Sequence, residues 1–198
     1  MPAASRRQAV ASSGSPHASP TRLLAPTAEM HFAADRFMPT AHSPADAKAR
    51  FANRYVRFVA VGFDRALFQP WFYRRLSMTF GHIAHYNLDG FYATWFERTA
   101  DRHDFVAQAL RWRGAGDPAW TYCDVETALQ QWLASVGVLD VLAARVAAKR
   151  EAADLAELRR LLGQYGLPPE LRRRRLLIAG SGGGGPCGPR PPQAPPAP

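Results

Sequence analysis

Two histidines three residues apart, His82 and His85, are the side chains of this sequence best suited to chemistry. On a helix, positions i and i+3 are neighbours on one surface. Two neutral imidazoles so placed can each give a nitrogen to a divalent metal. Asp89 and His103 are the further ligands the sequence offers, and Glu97 and Asp101 the candidate general bases. The set is incomplete, because the His-Glu-x-x-His arrangement that joins two ligands to a base on one helix is absent. Asp89 also has a competing role as a helix cap. The plainer expectation is structural: both histidines sit at the edge of an aromatic core and hydrogen-bond to backbone or tyrosine. On that expectation no cofactor is bound, and a divalent metal is the alternative.

The second candidate is electrostatic. Arg172, Arg173, Arg174 and Arg175 follow one another without interruption. They point around a whole helical turn and form no single face. They suit a solvated helix end, where cations complement the dipole, or sequence-independent contact with phosphates. Leu176-Leu-Ile178 beside them would also allow contact with an anionic membrane surface. Cys123 lacks a nucleophile motif and reads as a structural thiol. Gly182–Gly185 lacks the Lys-Ser/Thr ending of a phosphate loop.

Helices must position these residues. Ser43, Pro44 and Asp46 mark a helix start, and Phe51, Tyr55, Phe58 and Val59 recur at helical spacing over about 44–61, with Arg50, Arg54 and Arg57 on the other side. Pro70 opens a second helix that the pattern carries to about Tyr86, placing His82 and His85 on one stripe. Asn87-Leu-Asp-Gly90 breaks it, with Asp89 capping a third helix over about 90–99. A fourth is expected over 101–111. Gly114-Ala-Gly-Asp-Pro118 is a loop, and Thr121 with Asp124 reads as a capping box before the fifth. A long pattern over 138–164 buries Leu139, Leu142 and Val146 in its first half and Leu155, Leu158 and Leu162 in its second, around a solvated middle. Pro168-Pro169 opens a last helix. No convincing strand alternation occurs, so the fold class is all-α, a bundle of six or seven helices.

Charge and composition set the boundaries. The 198 residues carry a formal net charge of +9. Between Asp46 and Glu170, 16 basic residues face 14 acidic ones, so the basicity belongs to the ends. Of 22 aromatics, 14 lie between Phe51 and Phe96. The expected organisation is a disordered leader over 1–42 with an arm docked at 31–38 through Phe32 and Phe37, one helical domain over 43–179, and a disordered Gly/Pro-rich tail over 180–198. The leader lacks the apolar core of a secretory signal, fits a transit peptide by composition alone, and contains a second start candidate, Met30. Two separated cysteines argue against a disulfide framework and for a reducing cytoplasm. No run reaches the roughly 18 apolar residues of a membrane span.

The expected function is a non-catalytic interaction or accessory module with a protein partner. The alternatives are a nucleic-acid accessory protein using Arg172–Arg175 and the basic tails, and a small metalloenzyme centred on His82 and His85.

Overall fold

The computed structural model describes residues 22–82 and 87–166. It is all-α, with six α-helices among the described residues: α1 Ala45–Ala60, α2 Pro70–Leu76, α3 Leu88–Phe96, α4 Thr99–Arg111, α5 Cys123–Ser135 and α6 Val138–Tyr165. Short 3-10 turns at Pro26–Ala28, Ala34–Arg36, Arg65–Leu67 and Thr79–Gly81 link or precede them. No single described helix is long and apolar enough to cross a membrane. The chain divides into two compact units, Met1–Ala148 and Lys149–Pro198.

In the first unit α1 is the central element. Phe51, Tyr55, Phe58 and Val59 bury completely or nearly so, as their spacing requires. Phe58 alone packs its ring against Phe63, Phe68, Phe72 and Phe96, at centroid distances of 5.0–5.6 Å. Edge and stacked pairs of this kind add to the burial of large apolar area. α1 begins at Ala45, not at a Ser43 cap. Pro44 is the residue before the first turn and offers no capping side chain. Ser43 is buried instead, with its hydroxyl 3.5 Å from Arg75. After α1 the chain turns through Gly62 and Phe63, both at positive φ. Phe63 tolerates that backbone because its amide reaches Phe58 O at 2.7 Å and its ring stacks on Phe96.

The segment before α1 is held by side chains and backbone together. Phe32 and Phe37 are buried, and docking extends upstream to Leu23 and Leu24, whose amides donate to Ala60 O. The Asn53 carboxamide takes the Phe32 amide at 2.7 Å and gives its own N–H to Phe32 O at 3.0 Å. It thus satisfies an extended backbone segment as a neighbouring strand would. Burying one Phe contributes about 1.5–3 kcal/mol, so two aromatic anchors fix this segment well.

α2 is much shorter than the pattern over 70–86 implies. It ends at Leu76, and a 3-10 turn follows. The Ser77 and Thr79 hydroxyls donate to Arg74 O and Arg75 O at 3.0 and 2.9 Å, replacing helical amides. Phe80 and Gly81 then adopt φ of 56° and 71°. α3 begins at Leu88, earlier than expected, and its cap is Asn87, whose side chain accepts from the Gly90 amide at 2.7 Å. Asp89 lies inside the first turn and is not the cap. The expected capping box before α5 is also replaced. Tyr122 precedes the helix without a side-chain cap, and Asp124 is engaged elsewhere.

In the second unit, α6 residues from Lys149 to Gln164 are exposed except Leu162, which is half-buried. Leu155 and Leu158 were expected to be core. They are 43 % and 51 % exposed. The expected helix after Pro168, residues 1–21 and the tail over 180–198 lie outside the described residues.

Candidate functional site

The break at Ser77–His82 assembles the most unusual polar centre in the first unit. Glu126, on α5, is buried and holds the turn from inside. One carboxylate oxygen accepts the Phe80 amide at 3.2 Å and the other the Trp112 indole N–H at 2.8 Å. Trp112 in turn closes on Gly81: a Cβ there would lie 2.5 Å from the indole ring. Glycine is needed at this position twice over, for its φ and for this approach. Burial pushes the Glu126 carboxyl up from its ordinary value, against the pull of its two donors.

His82 leaves the turn into the aromatic core. Its ring stacks on Phe105 at 4.6 Å and 15°, and lies 5.0 Å from the Trp95 ring. It is buried, and its Nε2 has no hydrogen-bond partner among the described residues. Burial pushes its pKa down to about 4, so the ring is neutral near pH 7. α2 has already ended at Leu76, so His82 is not on that helix. His85 lies outside the described residues.

The other residues expected at a metal or acid–base site are dispersed among separate partners. Asp89 is 82 % exposed and pairs with Arg65. His103 has Asp104 as its neighbour, at 3.1 Å. Asp101 takes a two-pronged bond from Arg98, both contacts at 2.8 Å, and the bond from that guanidinium holds its carboxyl below the usual range. Glu97 is an exposed residue at the end of α3. No group of three or more His, Cys, Asp or Glu suited to a metal ion occurs among the described residues. Arg172, Arg173, Arg174 and Arg175 lie outside them.

A buried ion pair was not foreseen. Lys48, on α1, is fully buried, and its ammonium donates to Asp124 at 3.0 and 3.1 Å and to Pro118 O at 2.9 Å. Asp124 also accepts the Met38 amide at 3.0 Å. Four segments therefore meet at one charge pair: the docked arm, α1, the loop before α5, and α5. The signal was present in the sequence, since Lys48 shares the stripe of Phe51, Ala52 and Tyr55 on an otherwise apolar face. A cation on a core stripe implies a buried anion. Beside this pair runs a cleft of about 390 Å³ that includes Arg75, Trp112, Trp120, Tyr122 and Glu126. The Arg75 guanidinium lies over the Tyr122 ring, 4.0 Å from its centroid. Cys123 donates its thiol to Gly116 O at 3.1 Å.

In the second unit the feature is apolar. Leu155, Leu158, Leu161 and Tyr165 are all exposed large side chains of α6. Glu157 and Arg160 pair at 2.7 Å beside them.

Comparison with known proteins finds no matching family model, no matching curated protein and no matching solved structure.

Proposed function

We propose that the protein is a non-catalytic helical interaction module and that the second half of α6 carries a binding face for a partner protein. The supporting observation is the exposed stripe of Leu155, Leu158, Leu161 and Tyr165. Leu155, Leu158 and Leu162 are spaced i, i+3, i+7, the seam that one helix offers to another. Charged residues accompany it: Asp154 precedes the seam, and Glu157, Arg159 and Arg160 alternate with its leucines along the chain. A matching amphipathic helix would bury the leucines and leave these charges at the rim. Three half-exposed leucines offer about 3 kcal/mol on burial, enough to anchor a modest interface but not a tight one. The proposed setting is the cytoplasm.

The stacked position of His82 supports a structural role for that histidine over the metalloenzyme reading. The nucleic-acid reading through Arg172–Arg175 rests on residues outside those described.

The test is quantitative affinity capture from the native host with full-length wild type and Leu155→Glu/Leu158→Glu. Both positions are exposed, so the variant folds with an unchanged melting temperature. Partner recovery falls at least tenfold if α6 binds through this seam. Equal recovery by the two proteins contradicts the reading.

A further inference from the structure

The exposed face of α1 carries a second, independent surface. Arg50, Arg54 and Arg57 are spaced i, i+4 and i+7, which places three guanidinium groups on one stripe. The opposite stripe is buried in the aromatic core, so this one faces outward. Trp71, the second residue of α2, stands against it and is 40 % exposed. Arg54 and Arg50 lie over its indole, 5.5 and 5.8 Å from the ring centroid. Together with Arg57 and Asn53 they line a cleft of about 620 Å³.

No carboxylate lines this cleft. Among the described residues, none of the three arginines forms an ion pair, whereas Arg22, Arg65, Arg98 and Arg160 each do. Three like charges along one helical stripe repel one another, and no described carboxylate pairs with them. The complement is an anion with several charges. At 1.5 Å per residue, the stripe spans about 10 Å along the helix, which lets the three guanidinium groups meet separate phosphates of one strand. Guanidinium forks suit phosphodiester oxygens. An exposed indole supplies what an acidic peptide has no use for, a flat surface on which a base can stack. Bases are free to stack in this way only when unpaired.

We propose that this cleft binds single-stranded nucleic acid, with phosphates on Arg50, Arg54 and Arg57 and a base on Trp71. None of the lining residues belongs to α6, and the short footprint is consistent with the near-neutral charge between Asp46 and Glu170.

The test is fluorescence anisotropy with the full chain and a labelled 12-nucleotide single strand of mixed sequence, titrated between 50 and 200 mM salt. Three phosphate contacts at this site weaken binding about 20-fold across that range. Arg50→Ala/Arg54→Ala/Arg57→Ala therefore lowers the log–log salt slope by about two relative to wild type, while the triple Lys variant retains it. Trp71→Ala weakens binding at least fivefold at fixed salt without changing the slope, and Trp71→Phe restores most of the loss. The same strand in duplex form binds more weakly and is indifferent to Trp71→Ala. An unchanged slope in the triple Ala variant overturns the proposal, as does wild-type binding by Trp71→Ala. Competition by polyglutamate as strong as that by the oligonucleotide assigns the cleft to acidic peptides and overturns it too.

Discussion

Lowering the pH should destabilise the protein through one residue, His82. Its imidazole is sandwiched in an aromatic core, and Nε2 has no acceptor among the described residues for a second proton. The folded state therefore holds the ring neutral, with a pKa of about 4 against 6.5 in the unfolded chain. The unfolded chain binds the proton more readily, so acid favours unfolding. The contribution is intact above pH 6.5 and is lost progressively as the pH falls toward 4. Proton linkage with these two values removes about 2 kcal/mol between pH 7 and pH 5. The raised pKa of Glu126 acts in the opposite direction, because the folded state there takes up the proton first. The clean readout is therefore a comparison with His82→Phe, which keeps the stacking on Phe105 and removes the titrating group. The variant should lie within about 1.5 kcal/mol of wild type at pH 7. Urea unfolding at pH 7 and pH 5 should show wild type losing about 2 kcal/mol more than the variant over that interval. An identical pH dependence in the two proteins would mean instead that His82 is solvated or paired when charged.

Three further changes probe the polar centre of the first unit. Lys48→Ala leaves the Asp124 carboxylate without its cation and should cost about 3–5 kcal/mol by urea unfolding; a loss under 1 kcal/mol would show that the pair is dispensable. Gly81→Ala meets both a positive φ and the Trp112 ring, and should lower stability by about 2 kcal/mol. Glu126→Gln offers one acceptor where two donors, the Phe80 amide and the Trp112 indole, each need one, and should cost about 1–3 kcal/mol; indole N–H exchange faster than in wild type would locate the damage.

Helices were legible where burial follows from spacing alone. The stripe of Phe51, Tyr55 and Phe58 fixes α1, and Val125, Leu129, Trp132 and Leu133 fix the inward face of α5. The break after Leu76 was not legible, because Phe72 and Leu76 lead into a pattern that continues to Ile83. What ends the helix is tertiary. Glu126 sits 46 positions from Phe80 in sequence and takes its amide, and Trp112 fills the space over Gly81. Local propensity contains neither contact. That one break also takes His82 off α2, the helix on which the histidine pairing depends. The second half of α6 failed for a different reason. Periodicity identifies an amphipathic face, but it cannot distinguish a face covered by the same chain from one available to a partner. Lys48 was readable in principle, as a cation on an apolar stripe, whereas its partner Asp124 read as a cap. The arginines of α1 were placed on the correct side by the pattern alone; Trp71 joins them only through the packing of α2 on α1.

The binding face proposed for the second half of α6 can be tested by site-specific photocrosslinking in the native host. A photoreactive residue at Leu158 of the full-length protein, with a second at exposed Lys149 as reference, is irradiated in cells and the adducts are resolved by mass. A partner seated on this face gives a discrete protein adduct from position 158 that is absent or much weaker from position 149. The same face requires that Leu155→Glu abolish the adduct. Diffuse or equal labelling from both positions, or an adduct that survives Leu155→Glu, would contradict it.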